Sequence, residues 1–216
     1  STALISASFS MGMKKTHHIL RIQARLAASQ IDQYIVDLKR KLDFLARIKG
    51  FTEEASDIQR HLLEALIRHN HAYEYIAMID RNGTIVNSIS RHGLKSPRNI
   101  SHHPSFLVTL RTEAEHTGSI SFDPVTQDPV IDIGVPIRNK DDEIDGVLLA
   151  RINLKFTRFI LVEVEVGDTG YAYIIDYGNT LIAFKNVPTE QASDNIQSRV
   201  AFSSRTYPVK HPEAPY

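Results

Sequence analysis

The residues best suited to chemistry lie between positions 98 and 134. Arg98, His102 and His103 sit in a polar loop and are all potential donors. Arg offers a planar donor fork and His can become cationic, so Arg98 and His103 can meet an anion. Ser121, Asp123 and Asp132 supply acceptors. Ser119 and Ser121 alternate with Ile120 and Phe122, while Asp132 and Gly134 alternate with Ile131, Ile133 and Val135. A four-residue turn, Pro124 to Gln127, places Ile120 opposite Ile131, so that the two apolar sets share one buried face. The other face, with Ser119, Ser121, Asp123, Asp132 and Gly134, is small and polar. It either lines a cavity or faces water, and both readings suit an antiparallel sheet. Phe106 on an apolar helix face is either core or pocket lining. Donors on the loop and acceptors on the sheet suit a small polar ligand: an organic acid, an amine or an amino-acid derivative. The ligand-binding candidates are therefore Arg98, His103, Phe106, Ser121, Asp123 and Asp132.

Other chemistries find less footing. There is no Cys, which excludes a disulfide scaffold, a thiolate zinc site and a Cys nucleophile. Asp168-Thr169-Gly170 matches the aspartic-protease tripeptide, but that reaction needs two carboxylates sharing a proton, and Gly167 precedes this one. A turn leading into a strand is the better account. The ten His residues include His17-His18, His69-x-His71 and His102-His103. None has His-Glu-x-x-His or a similar spacing, so no metal is expected. No Gly-x-Gly-x-x-Gly or Gly-Lys-Ser/Thr loop is present, and no cofactor is expected. With no nucleophile–base pair, the chain reads as a non-enzyme. Lys plus Arg and Asp plus Glu are both 25. That balance argues against nucleic acid and against a polybasic membrane surface. Apolar runs such as Gly146 to Ala150 fall far short of the roughly 18 residues that a membrane span needs. No signal peptide is visible, because no apolar block follows Met11 to His18.

These side chains need elements to carry them. Hydrophobic residues make up 42% of the 216 and charged residues 23%, enough for a real core in one or two domains. Between Gly12 and Gly50 there is neither Gly nor Pro, which allows a helix of about 55 Å. Leu20, Ala24, Ala27, Ile31, Ile35, Leu38, Leu42 and Leu45 step by three or four along it, close to a heptad seam. Arg25, Asp32, Lys39, Arg40 and Asp43 lie opposite. Part of so long a helix is expected to pack on a sheet and part to pair with another helix, as in a homodimer. Thr52 opens a second helix, ending near Asn70, in which Ile58, Leu62, Ala65 and Leu66 form the apolar face. Pro104 to Glu115 reads as a third. Strands are expected at Tyr73 to Asp80, Thr84 to Val86, Gly118 to Asp123, Pro129 to Ile137 and Gly146 to Leu154.

A repeat is also present. Tyr73-Glu-Tyr-Ile-Ala-Met-Ile-Asp80, the turn Arg81-Asn82-Gly83 and Thr84-Ile85-Val86 are echoed by Tyr171-Ala-Tyr-Ile-Ile-Asp176, Tyr177-Gly178-Asn179 and Thr180-Leu181-Ile182. This reads as a duplicated hairpin-led module. The first module spans 90 residues, Tyr73 to Val162, but only 50 remain from Gly167 to Tyr216. The second is therefore expected to lack strands. The tail from Tyr207 carries three prolines and ends no recognisable element.

Taken in order, these pieces resemble the double Cache family of sensor domains. Tyr75 to Val86 resembles the opening of that family's membrane-distal module, and Ile100-Ser-His-His-Pro-Ser-Phe106 its helix entry. Pro129 to Ile137, the acidic turn and Gly146 to Leu154 are similar to its last two strands. Gly167 to Asp176 is similar to the start of its membrane-proximal module. The resemblance implies an α+β fold: a long N-terminal helix packed on a PAS-like five-stranded antiparallel sheet module, then a second, incomplete PAS-like module. The expected divisions are 1–70 for the two helices, 71–162 for the distal module and 163–216 for the proximal one. It also implies a periplasmic or extracellular sensor of a transmembrane receptor, feeding a histidine kinase, a chemoreceptor region or a diguanylate cyclase. Membrane contact would come only through flanking spans absent from this chain. Amino-acid-binding members carry Tyr, then Arg-x-Trp-Tyr, then a later Asp. Here Arg98 stands at the first Tyr, His103 at the Arg, Ser105 at the Trp and Phe106 at the final Tyr. Asp123, with Thr126 three residues on, matches the Asp that holds a ligand amine. The carboxylate clamp is altered, so binding of an α-amino acid in the usual way is not implied. The alternative is a dimerisation or partner-binding ectodomain whose polar sheet face is wet.

Overall fold

The computed structural model describes residues 5–10, 16–48, 51–53, 56–93, 97–124, 126–164, 171–176 and 180–185. The chain divides into two units, one of residues 33–156 and one of residues 1–32 with 157–216.

Helix α1 (Thr16–Ala46) has its predicted stripe buried, with Ile31, Leu38 and Leu42 at 0% exposure. Within the unit of residues 33–156 a short 3₁₀ turn (Phe51–Glu53) precedes α2 (Ser56–His69). Thr52 belongs to that turn instead of capping the helix. The start of α2 is tied back by Gln59, whose Nε2 donates to the carbonyls of Phe51 and Thr52 at 3.0 and 3.3 Å.

The sheet of this unit contains β2 (Tyr73–Asp80), β3 (Ile85–Ser90), β4 (His116–Thr117), β5 (Ser121–Phe122), β6 (Pro129–Arg138) and β7 (Ile144–Asn153). Its order is β3-β2-β7-β6-β4, with β5 also on β6, and every pairing is antiparallel. The strand expected over Gly118 to Asp123 is broken into β4 and β5, so six strands replace the expected five. The expected register holds: Ser121 faces Val130 and Phe122 faces Pro129, so the loop between Asp123 and Asp128 has four residues.

One face of the sheet carries Ile131, Ile133 and Val135, all fully buried. Pairing with Ile152, which lies opposite Ile131, puts Tyr73 on that same side, where its hydroxyl donates to the carbonyl of Leu38 at 2.7 Å. Burial pushes the Tyr73 hydroxyl up in pKa, which keeps it a donor. Across α1, Lys39 pairs with Glu115 at 2.6 Å and Tyr34 donates to Asn70 at 3.1 Å. The second face carries Ala77, Ile79, Val147 and Leu149, which pack with Phe106 of α3 (Pro104–Thr112).

The other unit contains β1 (Ile5–Ser10), α4 (Phe156–Glu163, from its second residue), β8 (Tyr171–Asp176) and β9 (Leu181–Lys185). Its sheet is antiparallel, in the order β1-β8-β9. These two units follow from long-range pairing. β1 joins β8, while residues 33–70 fold with the first sheet through bonds such as Asn87 Nδ2 to the Ser56 carbonyl at 3.0 Å. The segment 186–216, on which the expectation of an incomplete second sheet bears, lies outside the described residues, as do Asp168-Thr169-Gly170 and the tail.

The repeated hairpin is real in its geometry. The Asp80 amide donates to Thr84 O at 2.9 Å, and Asp176 does so to Thr180 O at 3.1 Å. Asp80 Oδ1 accepts the Thr84 amide at 2.8 Å, and Asp176 Oδ1 accepts that of Thr180 at 2.7 Å. Each hairpin has a register shift at the same place, between Met78 and Ile79 and between Ile174 and Ile175. These equivalences set an offset of 96, so Tyr75 corresponds to Tyr171 and Ala77 to Tyr173. The Tyr-x-Tyr-Ile match in the sequence is two residues out of register.

Candidate functional site

The second face of the first sheet changes character along its length. At one end Ala77, Val147 and Leu149 pack under Phe106. At the other, the same alternation presents Arg151 and Asn153 from β7, Val130 and Asp132 from β6, and Tyr75 from β2. A register shift between Tyr73 and Tyr75 turns Glu74 to this region as well. These residues, with Ser90, His92, Pro97, Ile100, His103, Asp123, Thr126, Asp128 and Leu149, line a cavity of about 320 Å³. That is room for a small molecule.

At its centre stands a charged cluster. Asp132 and Arg151 are cross-strand partners. Arg151 Nε reaches Asp132 Oδ1 at 2.8 Å and its Nη2 reaches Oδ2 at 3.0 Å, a bidentate fork. His103 Nε2 approaches Asp132 Oδ2 at 3.2 Å. His103 is the residue before α3 and has extended backbone, but its side chain makes no cap bond. It is therefore available to the sheet. Pro104 at the first helical position sets the entry. Burial alone would raise the Asp132 pKa, but hydrogen bonds from His103 and Arg151 outweigh it and hold the carboxyl below its usual range. Asp132 in turn raises Arg151.

Two flanks complete the lining. On one, Glu74 Oε1 accepts from Asn153 Nδ2 at 2.6 Å and Oε2 faces His92 Nε2 at 3.0 Å. On the other, the β5–β6 loop folds on its own side chains. Asp123 Oδ1 accepts the Thr126 amide at 2.9 Å, and Asp128 pairs with Lys155 at 3.0 Å.

Of the sequence-derived candidates, His103, Asp123 and Asp132 are brought together around this cavity. Arg98, Phe106 and Ser121 are not among its lining residues. Arg98 is exposed and contributes its carbonyl to the Ile85 amide at 3.0 Å. Phe106 is 2% exposed and belongs to the core, because the apolar face of α3 turns onto β2 and β7. Ser121 is exposed in β5. Gly134 is not open floor either: a Cβ there would stand 2.3 Å from Thr109 Oγ1, so it admits α3 against the sheet. Sequence reasoning missed Arg151 and Glu74. The signal for Arg151 was a charge following the apolar run Val147 to Ala150, in step with Leu149 and Asn153. Among the described residues no group of three or more His, Asp or Glu is placed to hold a metal ion.

A long helix beside an antiparallel sheet, with a cavity on the sheet's second face, places the chain among α+β domains. The chain belongs to the Cache-domain family, whose model matches residues 14–210. Solved structures share the fold. The ligand-binding domain of Campylobacter jejuni chemoreceptor Tlp3, in complex with L-norvaline, matches with a TM-score of 0.67 at 17% identity, covering 89% of this chain and 76% of that one. The ligand-binding domain of the Pseudomonas aeruginosa PAO1 amino-acid chemoreceptor PctC, in complex with GABA, matches at 0.61 and 14%, covering 78% and 75%. A domain of a sensory box/GGDEF family protein from Vibrio parahaemolyticus matches at 0.62 and 16%, covering 90% and 80%. No curated protein matches the sequence.

Proposed function

We propose that this chain is the extracytoplasmic ligand-sensing domain of a transmembrane receptor, binding a small polar molecule in the cavity of residues 33–156. The observation that carries the reading is that cavity. It has the volume of a small-molecule site and apolar walls at Ile100, Val130 and Leu149, with polar groups converging from four strands and two loops. Asp123 is proposed as the anchor for a ligand amine, with Asp132 and His103 as further polar contacts. The signal is proposed to leave through α1, whose Leu38 carbonyl is bonded to Tyr73 on the same sheet. No helix among the described residues is long and apolar enough to cross a membrane.

The test is a thermal-shift screen of organic acids, amines and amino acids, repeated on Asp123→Ala. A ligand that binds only the folded protein raises the melting temperature with its concentration. A hit that is weakened on Asp123→Ala is expected. A hit that binds the variant equally well removes Asp123 from the site.

The long helix is also proposed to pair with a second copy of the chain, on a different face from the heptad stripe read in the sequence. Leu20, Ala27 and Ile31 of that stripe are buried within the chain itself. Ile19, Ile22 and Leu26 are exposed by 58, 46 and 58%, at steps of three and four. Such a stripe is self-complementary in an isologous pair. Sedimentation of the wild type as a dimer, and of Leu26→Glu as a monomer, is the expected result.

A further inference from the structure

We infer that the cavity selects amines that carry no carboxylate, and that Asp132 imposes this choice by occupying Arg151. The inference rests on the cavity being the ligand site, as proposed above.

The charges that line it are lopsided. Glu74, Asp123, Asp128 and Asp132 contribute four carboxylates, and Arg151 is the one permanent cation among the described lining residues. The histidines His92 and His103 face Glu74 and Asp132. Lys155, outside the lining, faces Asp128. With neutral imidazoles the lining is strongly acidic, and a partly enclosed site magnifies that sign over bulk water.

One fork of the single guanidinium is already committed. The Nη1–Nη2 edge of Arg151 shares its Nη2 with the other two-bonded edge, Nε with Nη2, which grips Asp132 at 2.8 and 3.0 Å. A ligand carboxylate taking that edge would strip Asp132 of its main partner. Asp132 is only 12% exposed, so its charge would lie buried with His103 alone to answer it. The incoming anion would also meet Asp123, Asp128 and Glu74. An ammonium group suffers neither penalty.

The neutral surfaces fit the same class. Tyr75 offers an aromatic ring, and Val130, Ile100 and Leu149 offer aliphatic wall for a short hydrocarbon chain. His103 adds an acceptor. When its Nε2–H donates to Asp132, Nδ1 keeps a lone pair, and that atom is buried without a hydrogen-bond partner among the described residues.

The experiment uses one carbon skeleton with its ends varied: butane-1,4-diamine, butylamine, 4-aminobutanoate and butanoate, titrated into the whole chain by calorimetry. The two amines are expected to bind at least about tenfold tighter than either carboxylate, with affinities that fall as salt is added. Asp132→Asn frees the guanidinium and is expected to narrow that gap by about tenfold. The wild-type order stands as a test even if that variant does not fold. If 4-aminobutanoate or butanoate binds wild type as tightly as the amines, the selectivity is overturned while the cavity remains a ligand site. Binding confined to uncharged molecules has the same consequence. If none of the four binds and the wider screen of acids, amines and amino acids is also silent, the ligand-site reading itself falls, and this inference with it.

Discussion

The hairpins β2–β3 and β8–β9 are built alike and used differently. Both turns are closed by an Asp whose carboxylate accepts the amide of a Thr four residues on, and both shift register one step before that Asp. Beyond the turn they diverge. The free side of β2 is filled by β7, which places Arg151 beside Tyr75 and opposite Asp132. The free side of β8 is filled by β1, a strand from the start of the chain. The described positions Ala172, Ile174 and Ala183 of the second hairpin are apolar and buried. A local turn signal therefore makes a hairpin twice, but among the described residues it is beside the first that distant strands gather a charged cluster.

The largest predicted effect tests that last statement. Arg151→Leu leaves Asp132 in a largely buried place without its bidentate partner, and is expected to lower stability by about 3 kcal/mol. The double variant Asp132→Leu/Arg151→Leu is expected to recover more than half of the loss, measured by urea unfolding. Strictly additive losses would mean that the pair is not coupled.

A smaller effect separates the two turns. Gly83 has φ +82°, and a Cβ there would lie 2.4 Å from the backbone of Ser101. The position 96 residues later is Asn179, outside the described residues. Asn tolerates positive φ, so if backbone angle were the whole demand, Gly83→Asn would be mild. The contact with Ser101 predicts a loss of about 2 kcal/mol instead, from overpacking. A loss under about 0.5 kcal/mol, well below the overpacking range, would show that the 100–101 segment can move away.

The smallest effect concerns what the hairpins share. Asp80→Ala and Asp176→Ala each remove a side-chain acceptor from a turn, and each is expected to cost about 1 kcal/mol. Near-equal losses support a common device. A loss at only one turn would mean that the second carboxylate is incidental.

Much of the fold was legible because its signals are local. The Gly- and Pro-free stretch predicted α1, and the Asn-Gly turn and the four-residue Pro124 to Gln127 loop predicted their hairpins. The sequence repeat was legible too, but its alignment was not: Tyr-x-Tyr-Ile drew the eye two residues away from the true equivalence. Half of the candidate site was visible in the same way, since alternation singles out Asp123 and Asp132. Arg98 and Phe106 do not line the cavity, because a loop's path and a helix's facing depend on what packs against them.

What the residues determined unaided was periodicity: which segments are helix or strand, where turns fall, and that one sheet face is polar in part. These follow from φ/ψ preference and from apolar spacing, which act over a few residues. Only the tertiary structure decided that Arg151 would bind Asp132, that Glu74 would bulge towards Asn153 and His92, and that β1 would complete the sheet of β8. Those pairings join residues 18 to 171 positions apart. A bulge of one residue anywhere between them turns a side chain to the opposite face, so no local pattern can choose among the registers.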